Sequence, residues 1–348
     1  MLAKLKIIFA TLPFLLLASC ESIKDDYADC GVWLEFVFDH NMEYADSFDP
    51  QVDTVDVYIF DAAGKFVQAR RAAIGELQGR KRMFLNGLSF GEYRVLTVGN
   101  LTEHFRFADR GGNPFVPGET TIDQAVSALK HSGAVSHEFP HFYFGPAVEV
   151  AYNADLSVYR VPLIRQTNRF SVVLQTQLTD VPQGTVQGPF TPRHTVEIVA
   201  PEAGAYDWLN NPTDPRGLVY RPWSLLSRLD FTEKGVLLET AAKINTMRLL
   251  ENEWNGYRII VRDIAGGNEL YSNDLLSLLA ASKPNKRPDG TELPRSEYFD
   301  REGDWLIVIV YKNGGNSQYP DPVDPDGAFV ALRIMINGWI VWQTGMDV

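Results

Sequence analysis

The sequence predicts an all-β protein made of paired β-sandwiches, and three observations carry that prediction. Apolar residues recur at every second position in one short run after another, glycine-rich tripeptides separate the runs, and helical spacing is confined to two short segments. At 348 residues the chain also exceeds the roughly 250–300 residues that one hydrophobic core usually serves, so two domains are expected.

The first element stands apart from the fold. Lys4 and Lys6 precede an apolar run, Ile7 to Leu17, that Ala18-Ser19-Cys20 closes. Crossing a hydrocarbon core takes about 20 apolar residues, so this shorter run is a signal peptide, residues 1–19. Small residues directly before a cysteine resemble the bacterial lipobox, in which the thiol of Cys20 is acylated and becomes the first residue of the mature chain. A single acyl chain holds a protein only marginally, so stable anchoring implies several. Residues 20–30 then form the acylated cysteine and a short polar tether. Within it, Lys24-Asp25-Asp26 resembles the acidic signal that sends lipoproteins of some Gram-negative anaerobes to the outer face of the outer membrane.

Strands follow in order. Val32, Leu34, Phe36 and Phe38 share one face of the first, and Val55, Val57 and Ile59 share one face of the second. The turn Asp61-Ala62-Ala63-Gly64 leads to Phe66 and Val67 and predicts a hairpin. After Asn86-Gly87 the stretch Tyr93, Val95, Thr97 alternates with Arg94, Leu96, Val98. Further strands are expected at 170–174, 195–199, 236–238, 257–261, 305–311, 329–336 and 339–342. Gly-Gly-Asn at 111–113, 266–268 and 314–316 supplies positive φ between them. Two helices are expected: Thr121 capping Ile122 to Lys130, and Asn273 capping Asp274 to Ala281. Pro162 interrupts one strand-like run and a new one starts at Arg169, which divides the chain into an N-terminal domain, 31–163, and a C-terminal domain, 164–348. No short internal repeat is present.

Composition narrows the functions. Of the 32 basic residues, Lys4 and Lys6 leave with the signal peptide, so 30 stand against 44 acidic ones. Nucleic acid is not an expected partner, because phosphate contacts need a clustered basic face. With Cys20 acylated, Cys30 is the only thiol left and no disulfide can form within the chain. Gly87-Leu88-Ser89-Phe90-Gly91 spells a nucleophile elbow, but an elbow joins a strand to a helix, whereas here a strand follows and the segment is expected to be a hairpin turn. His131, His137 and His141 lack a Cys or carboxylate partner that would enforce a tetrahedral metal set. Asp321, Asp324 and Asp326 are broken by Pro322 and Pro325, unlike an EF-hand loop. No catalytic residue, metal, cofactor or small-molecule substrate is expected.

The chain resembles a known family through a series of motifs in order: the lipobox Cys20 with Cys30 ten residues on, the run Val55-Asp56-Val57-Tyr58-Ile59-Phe60-Asp61 with Gly64, Gly91-Glu92-Tyr93, Tyr298-Phe299-Asp300-Arg301-Glu302 before a hydrophobic strand, and Ile336-Asn337-Gly338-Trp339. They are similar to those of the FimB-type fimbrial anchor lipoproteins of Gram-negative anaerobes. The resemblance runs from the signal peptide almost to the C-terminus. It implies two transthyretin-like Greek-key β-sandwich domains in tandem. It also implies a role in type V fimbriae, either holding the fibre to the outer membrane and limiting its growth, or serving as an accessory subunit. The implied partners are fimbrial stalk subunits.

Stalk subunits of such fibres resemble lipoprotein precursors from which an arginine-specific protease removes the lipid and first strand, opening a groove that a neighbour's strand fills. Here no arginine stands between Cys20 and Ala69, and cuts at Arg70 or Arg71 would discard two core strands. The lipid is therefore expected to stay, with the C-terminal strand Trp339, Ile340, Val341, Trp342 free to pair with another subunit. The main alternative is a surface glycan-binding lipoprotein, which would put the seven tryptophans to use by stacking on sugars; a cell-surface hydrolase comes third.

Overall fold

The computed structural model describes residues 31–153, 155–178, 191–232, 235–251, 256–314 and 328–343. The N-terminal half begins with strands β1 (Val32–Val37), β2 (Thr54–Asp61), β3 (Phe66–Ala73), β4 (Arg82–Leu85) and β5 (Gly91–Gly99). It continues through β6 (Phe105–Ala108) and β7 (Val126–Leu129) to β8 (Tyr143–Tyr152), β9 (Ser157–Pro162) and β10 (Ile164–Arg165). The C-terminal half holds β11 (Thr167–Leu178), β12 (His194–Ala200), β13 (Ala205–Asp207), β14 (Leu218–Tyr220), β15 (Ser224–Thr232) and β16 (Gly235–Met247). After these come β17 (Arg258–Asp263), β18 (Glu269–Asp274), β19 (Asp304–Gly314), β20 (Ala328–Ile336) and β21 (Trp339–Gln343). Helices are short: α1 (Phe48–Gln51), α2 (Leu275–Ala280) and α3 (Arg295–Arg301). The all-β expectation holds.

In the N-terminal half the sheet β4-β1-β9 faces the sheet β10-β8-β5-β2-β3. The period-two pattern explains why. Val32, Leu34 and Phe36 of β1 are fully buried against Val55, Val57 and Ile59 of β2, together with Val95, Val150 and Val161. Each such side chain contributes about 1.5–3 kcal/mol by leaving water. β1 is the middle strand of its sheet, antiparallel to β4 and parallel to β9.

The C-terminal half repeats this plan at larger scale. The sheet β15-β16-β11-β19-β20-β21 faces β14-β12-β17-β18, and Phe170, Val172, Ile307 and Ile309 pack against Val196, Ile198, Ile259 and Val261. Its first strand, β11, is antiparallel to β16 and parallel to β19, as β1 is to β4 and β9. The two halves thus share a topology that no sequence repeat announces.

A fifth sheet, β13-β7-β6, joins them. β13 belongs to the C-terminal half yet pairs with β7 of the N-terminal half, Tyr206 opposite Ser127. One apolar cluster runs from Phe60, Leu96 and Phe144 through Phe105 and Leu129 to Tyr206, Met247 and Phe170. Asn245 Nδ2 donates to the carbonyl of Phe139 at 2.6 Å. Arg301 of α3 donates to the carbonyls of Asp39 and Asn41 and lies 4.3 Å from the Tyr44 ring centre.

Several expectations are corrected. Ile122 to Lys130 is not a helix: one 3-10 turn, Ile122–Gln124, gives way to β7, because Val126 and Ala128 find partners in both β6 and β13. Gln124 Oε1 does accept the Thr121 N–H, at 2.9 Å. The cap of α2 is Asp274, whose carboxylate accepts the Ser277 N–H at 2.6 Å; Asn273 belongs to β18. The Gly87–Gly91 segment is not a hairpin turn, because β4 and β5 lie in opposite sheets and the segment arches between them. Tyr93 Oη donates to the Ser89 carbonyl at 2.7 Å inside the arch. The Asp61–Gly64 hairpin is as expected, with Gly64 at φ +78°.

Candidate attachment surfaces

Three surfaces follow from this frame: the end where the tether enters, the outer face of the large sheet, and its last strand. The described chain enters the fold at Gly31, whose Cα lies so close to Phe84 that a Cβ would come within 2.4 Å of that ring. From there β1 passes at once into the core. Arg70 and Arg71 lie on β3; Arg70 donates to the carbonyl of Phe84 at 3.2 Å and Arg71 faces Asp56 at 3.8 Å. A cut at either would sever the chain beyond both β1 and β2, two strands with fully buried faces.

Late in the chain, β20 and β21 form a hairpin through Asn337 (φ +47°) and Gly338 (φ +85°), the paired left-handed conformations that an Asn-Gly turn supplies. Asn337 Oδ1 accepts the Leu306 N–H at 2.8 Å and ties the turn to β19. β21 is the end strand of the described sheet and pairs with β20, with a bulge beside Ile334. Val341 packs on the core, while Trp339 and Ile340 are 70% and 55% exposed. An end strand with protruding apolar side chains is a template for a further strand. β21 runs in the same direction as β11 and β19, away from the N-terminal sandwich.

Beside this hairpin, the outer face of the large sheet carries a groove of about 450 Å³ lined by Glu138, Arg169, Trp223, Lys243, Asp304 and Leu306. The Trp223 indole N–H donates to Asn245 Oδ1 at 2.7 Å, and the Lys243 ammonium lies 5.4 Å from its ring centre. That cation occupies the face on which a sugar would stack.

The histidines do not converge. His131 Nδ1 meets the Gly133 carbonyl at 3.2 Å, His137 stacks on His104 at 5.0 Å, and His141 Nδ1 meets Thr167 Oγ1 at 3.2 Å. Burial pushes His141 down to about 3. Cys20, Lys24, Asp25, Asp26, Cys30, Asp321, Asp324 and Asp326 lie outside the described residues, as does the third Gly-Gly-Asn beyond Gly314, while of Trp342 only the backbone, paired in β21, is described.

Sequence reading missed two features. In both described Gly-Gly-Asn turns an upstream aspartate accepts backbone N–H groups: Asp109 from Asn113 at 2.7 Å, and Asp263 from Gly266 and, at 2.8 Å, Asn268. These donors hold both carboxyls below the usual range. The second is Glu202, buried among Tyr206, Tyr220 and Tyr257 where the two halves meet. Tyr257 Oη donates to its Oε2 at 2.9 Å, and burial pushes the carboxyl up to about 7.

Comparison with known proteins assigns this architecture. Residues 26–345 match the family described as fimbrillin-A associated anchor proteins Mfa1 and Mfa2. The chain belongs to that family. A curated relative, the minor fimbrium anchoring subunit Mfa2 of Porphyromonas gingivalis, is 29% identical over 120 residues, covering 34% of this chain and 36% of that one. A Bacteroides ovatus protein described provisionally as an adhesin has a crystal structure that superposes with a TM-score of 0.76 at 39% identity, covering 91% of this chain and 96% of the other. The solved structure of the fimbrial anchor protein Mfa2 from P. gingivalis superposes with a TM-score of 0.60 at 19% identity over 90% and 99% of the two chains, a likeness of fold. The family is one of fimbrial anchor proteins and is not a known enzyme family, and the match spans about a third of the curated relative's length.

Proposed function

We propose that this chain is a lipid-anchored, non-catalytic subunit that attaches a type V fimbria to the outer membrane and terminates or limits its length by β-strand pairing with a neighbouring fimbrillin. The observation that carries the reading is the position of β1. It fills the middle of its sheet with Val32, Leu34 and Phe36 fully buried, and no arginine stands between Cys20 and Ala69. The segment bearing the acylated Cys20 therefore stays joined to the folded body, and Lys24, Asp25 and Asp26 direct it to the cell surface. The N-terminal domain, 31–163, lies on the membrane side and the C-terminal domain, 164–348, on the fibre side. Trp339, Ile340, Val341 and Trp342 on β21 supply the pairing edge. A groove between β4 and β9 is already occupied by β1, so growth can proceed from one end of this subunit only.

Mass spectrometry of the mature N-terminus, with the location of fimbriae in wild type and Cys20→Ala, tests this. The expected outcome is an acylated Cys20, no chain beginning at Arg71 or Ala72, and fimbriae shed into the medium by the variant. Mature protein starting near Ala72 in isolated fibres would overturn the proposal. Removal of residues 339–348 should release fibres while leaving the protein on the membrane.

A further inference from the structure

The tethered end of the N-terminal sandwich carries an apolar cap that the fold itself does not use. Because β4 and β5 meet β1 and β8 in antiparallel register, and β9 runs parallel to β1, one end gathers Gly31, the arch 86–90 and the link after Tyr152. Of the ten large apolar side chains most exposed among the described residues, three stand here: Phe90 at 63%, Leu156 at 60% and Val158 at 52%. Phe90 leans on Tyr152, with ring centres 6.0 Å apart. Val158 stands in register with Trp33, and Trp33 with Phe84, whose rings lie 4.8 Å apart. This row is where the chain enters from Cys20.

We infer that this end of the sandwich rests in the surface of a lipid bilayer, with Phe90, Leu156 and Val158 inserted beneath the headgroups. The inference rests on the proposed acylation of Cys20. The length of chain outside the fold and the place where it ends argue for lipid as the occupant. The 11 residues from Cys20 to Cys30 span at most about 40 Å when extended and about 18 Å as a coil. Gly31, the residue that follows them, is pressed against Phe84. The apolar row is thus held within a few tens of ångströms of the acyl chains, and an aromatic rim there suits the boundary between water and hydrocarbon.

Charge points to apolar insertion and away from phosphate binding. Three arginines lie at this end: Arg82 is matched by Glu35, Arg160 by Asp39, and Arg70 donates to the carbonyls of Phe84 and Asn86, while exposed Glu92 and Asp155 flank the cap. Binding should therefore not strengthen when anionic lipid is added.

The experiment uses the full mature lipoprotein reconstituted in phosphatidylcholine vesicles, after mass spectrometry has established the acyl chains on Cys20. An environment-sensitive dye is placed at Phe90→Cys, or at Leu226→Cys on exposed β15 as the distant control, each in a Cys30→Ser background. Lipids brominated along the acyl chain should quench the dye at position 90 several-fold more than the dye at 226, and equally with or without anionic lipid. Equal weak quenching at both positions in acylated protein overturns the inference and leaves the anchor proposal standing. If emission at 90 is also blue-shifted in that case, the tether or a second copy covers the cap, which overturns it too. Absence of acyl chains overturns the Cys20 reading itself.

Discussion

Glu202 stands alone as a carboxyl buried among tyrosine hydroxyls, and its environment makes a signed prediction. Its folded pKa of about 7 lies above the ordinary 4.5, so the native state holds an extra proton between those values. That contribution to stability is complete below about pH 4.5 and is lost as pH rises through about 7, on the order of 3 kcal/mol in all. His141 acts in the opposite sense: depressed to about 3 from 6.5, it favours the fold above pH 6.5 and loses that contribution as pH falls. Urea midpoints of wild type and Glu202→Gln across pH 5–8 isolate the first effect. The variant should gain on wild type as pH rises from 5 to about 7 and level off beyond; parallel curves would show that Glu202 is solvated. Neither environment was legible in the sequence. Glu202 sits in a plain Pro-Glu-Ala-Gly stretch, and only the meeting of β7, β13 and β17 around it creates the burial. The faces of β1 and β2 were legible, because period-two burial needs no partner to be named.

At the scale of elements, strands with a clean alternation emerged where the sequence put them, and the failures share one cause. Ile122 to Leu129 has helical spacing, but its backbone gains two ladders by extending, one to β6 and one to β13, and β13 comes from more than seventy residues later. Local pattern cannot see such a partner. The same junction fixes Gly204, at φ +69°, whose Cβ position lies 2.8 Å from Met247 Cγ. Gly204→Ala should cost about 1–3 kcal/mol through backbone strain and overpacking, read as a lower urea midpoint at unchanged m-value. A loss below a few tenths would mean that β13 shifts without consequence. The Gly87–Gly91 arch was misjudged for a related reason, since a turn sequence reports a reversal and not which sheet receives the next strand.

For the whole molecule, the strand exchange and the continuous core tie the halves into one unfolding unit. Calorimetry should find a single transition whose van't Hoff and calorimetric enthalpies agree; two resolved transitions would mean that the β13–β7 pairing contributes little to coupling. The sequence announced two sandwiches but not this splice, nor the shared plan in which β1 and β11 each lie between an antiparallel and a parallel neighbour. That plan has a mechanical side. Under the proposed acylation of Cys20, a load on the lipid pulls β1 along its own axis and across its ladder hydrogen bonds. Six residues in register with β9 and four with β4 must then slide together, whereas an edge strand peeled sideways yields one bond at a time. The end of the subunit at which β1 begins is built as a shear clamp, and it is the direction of tension, more than its size, that decides whether the grip holds.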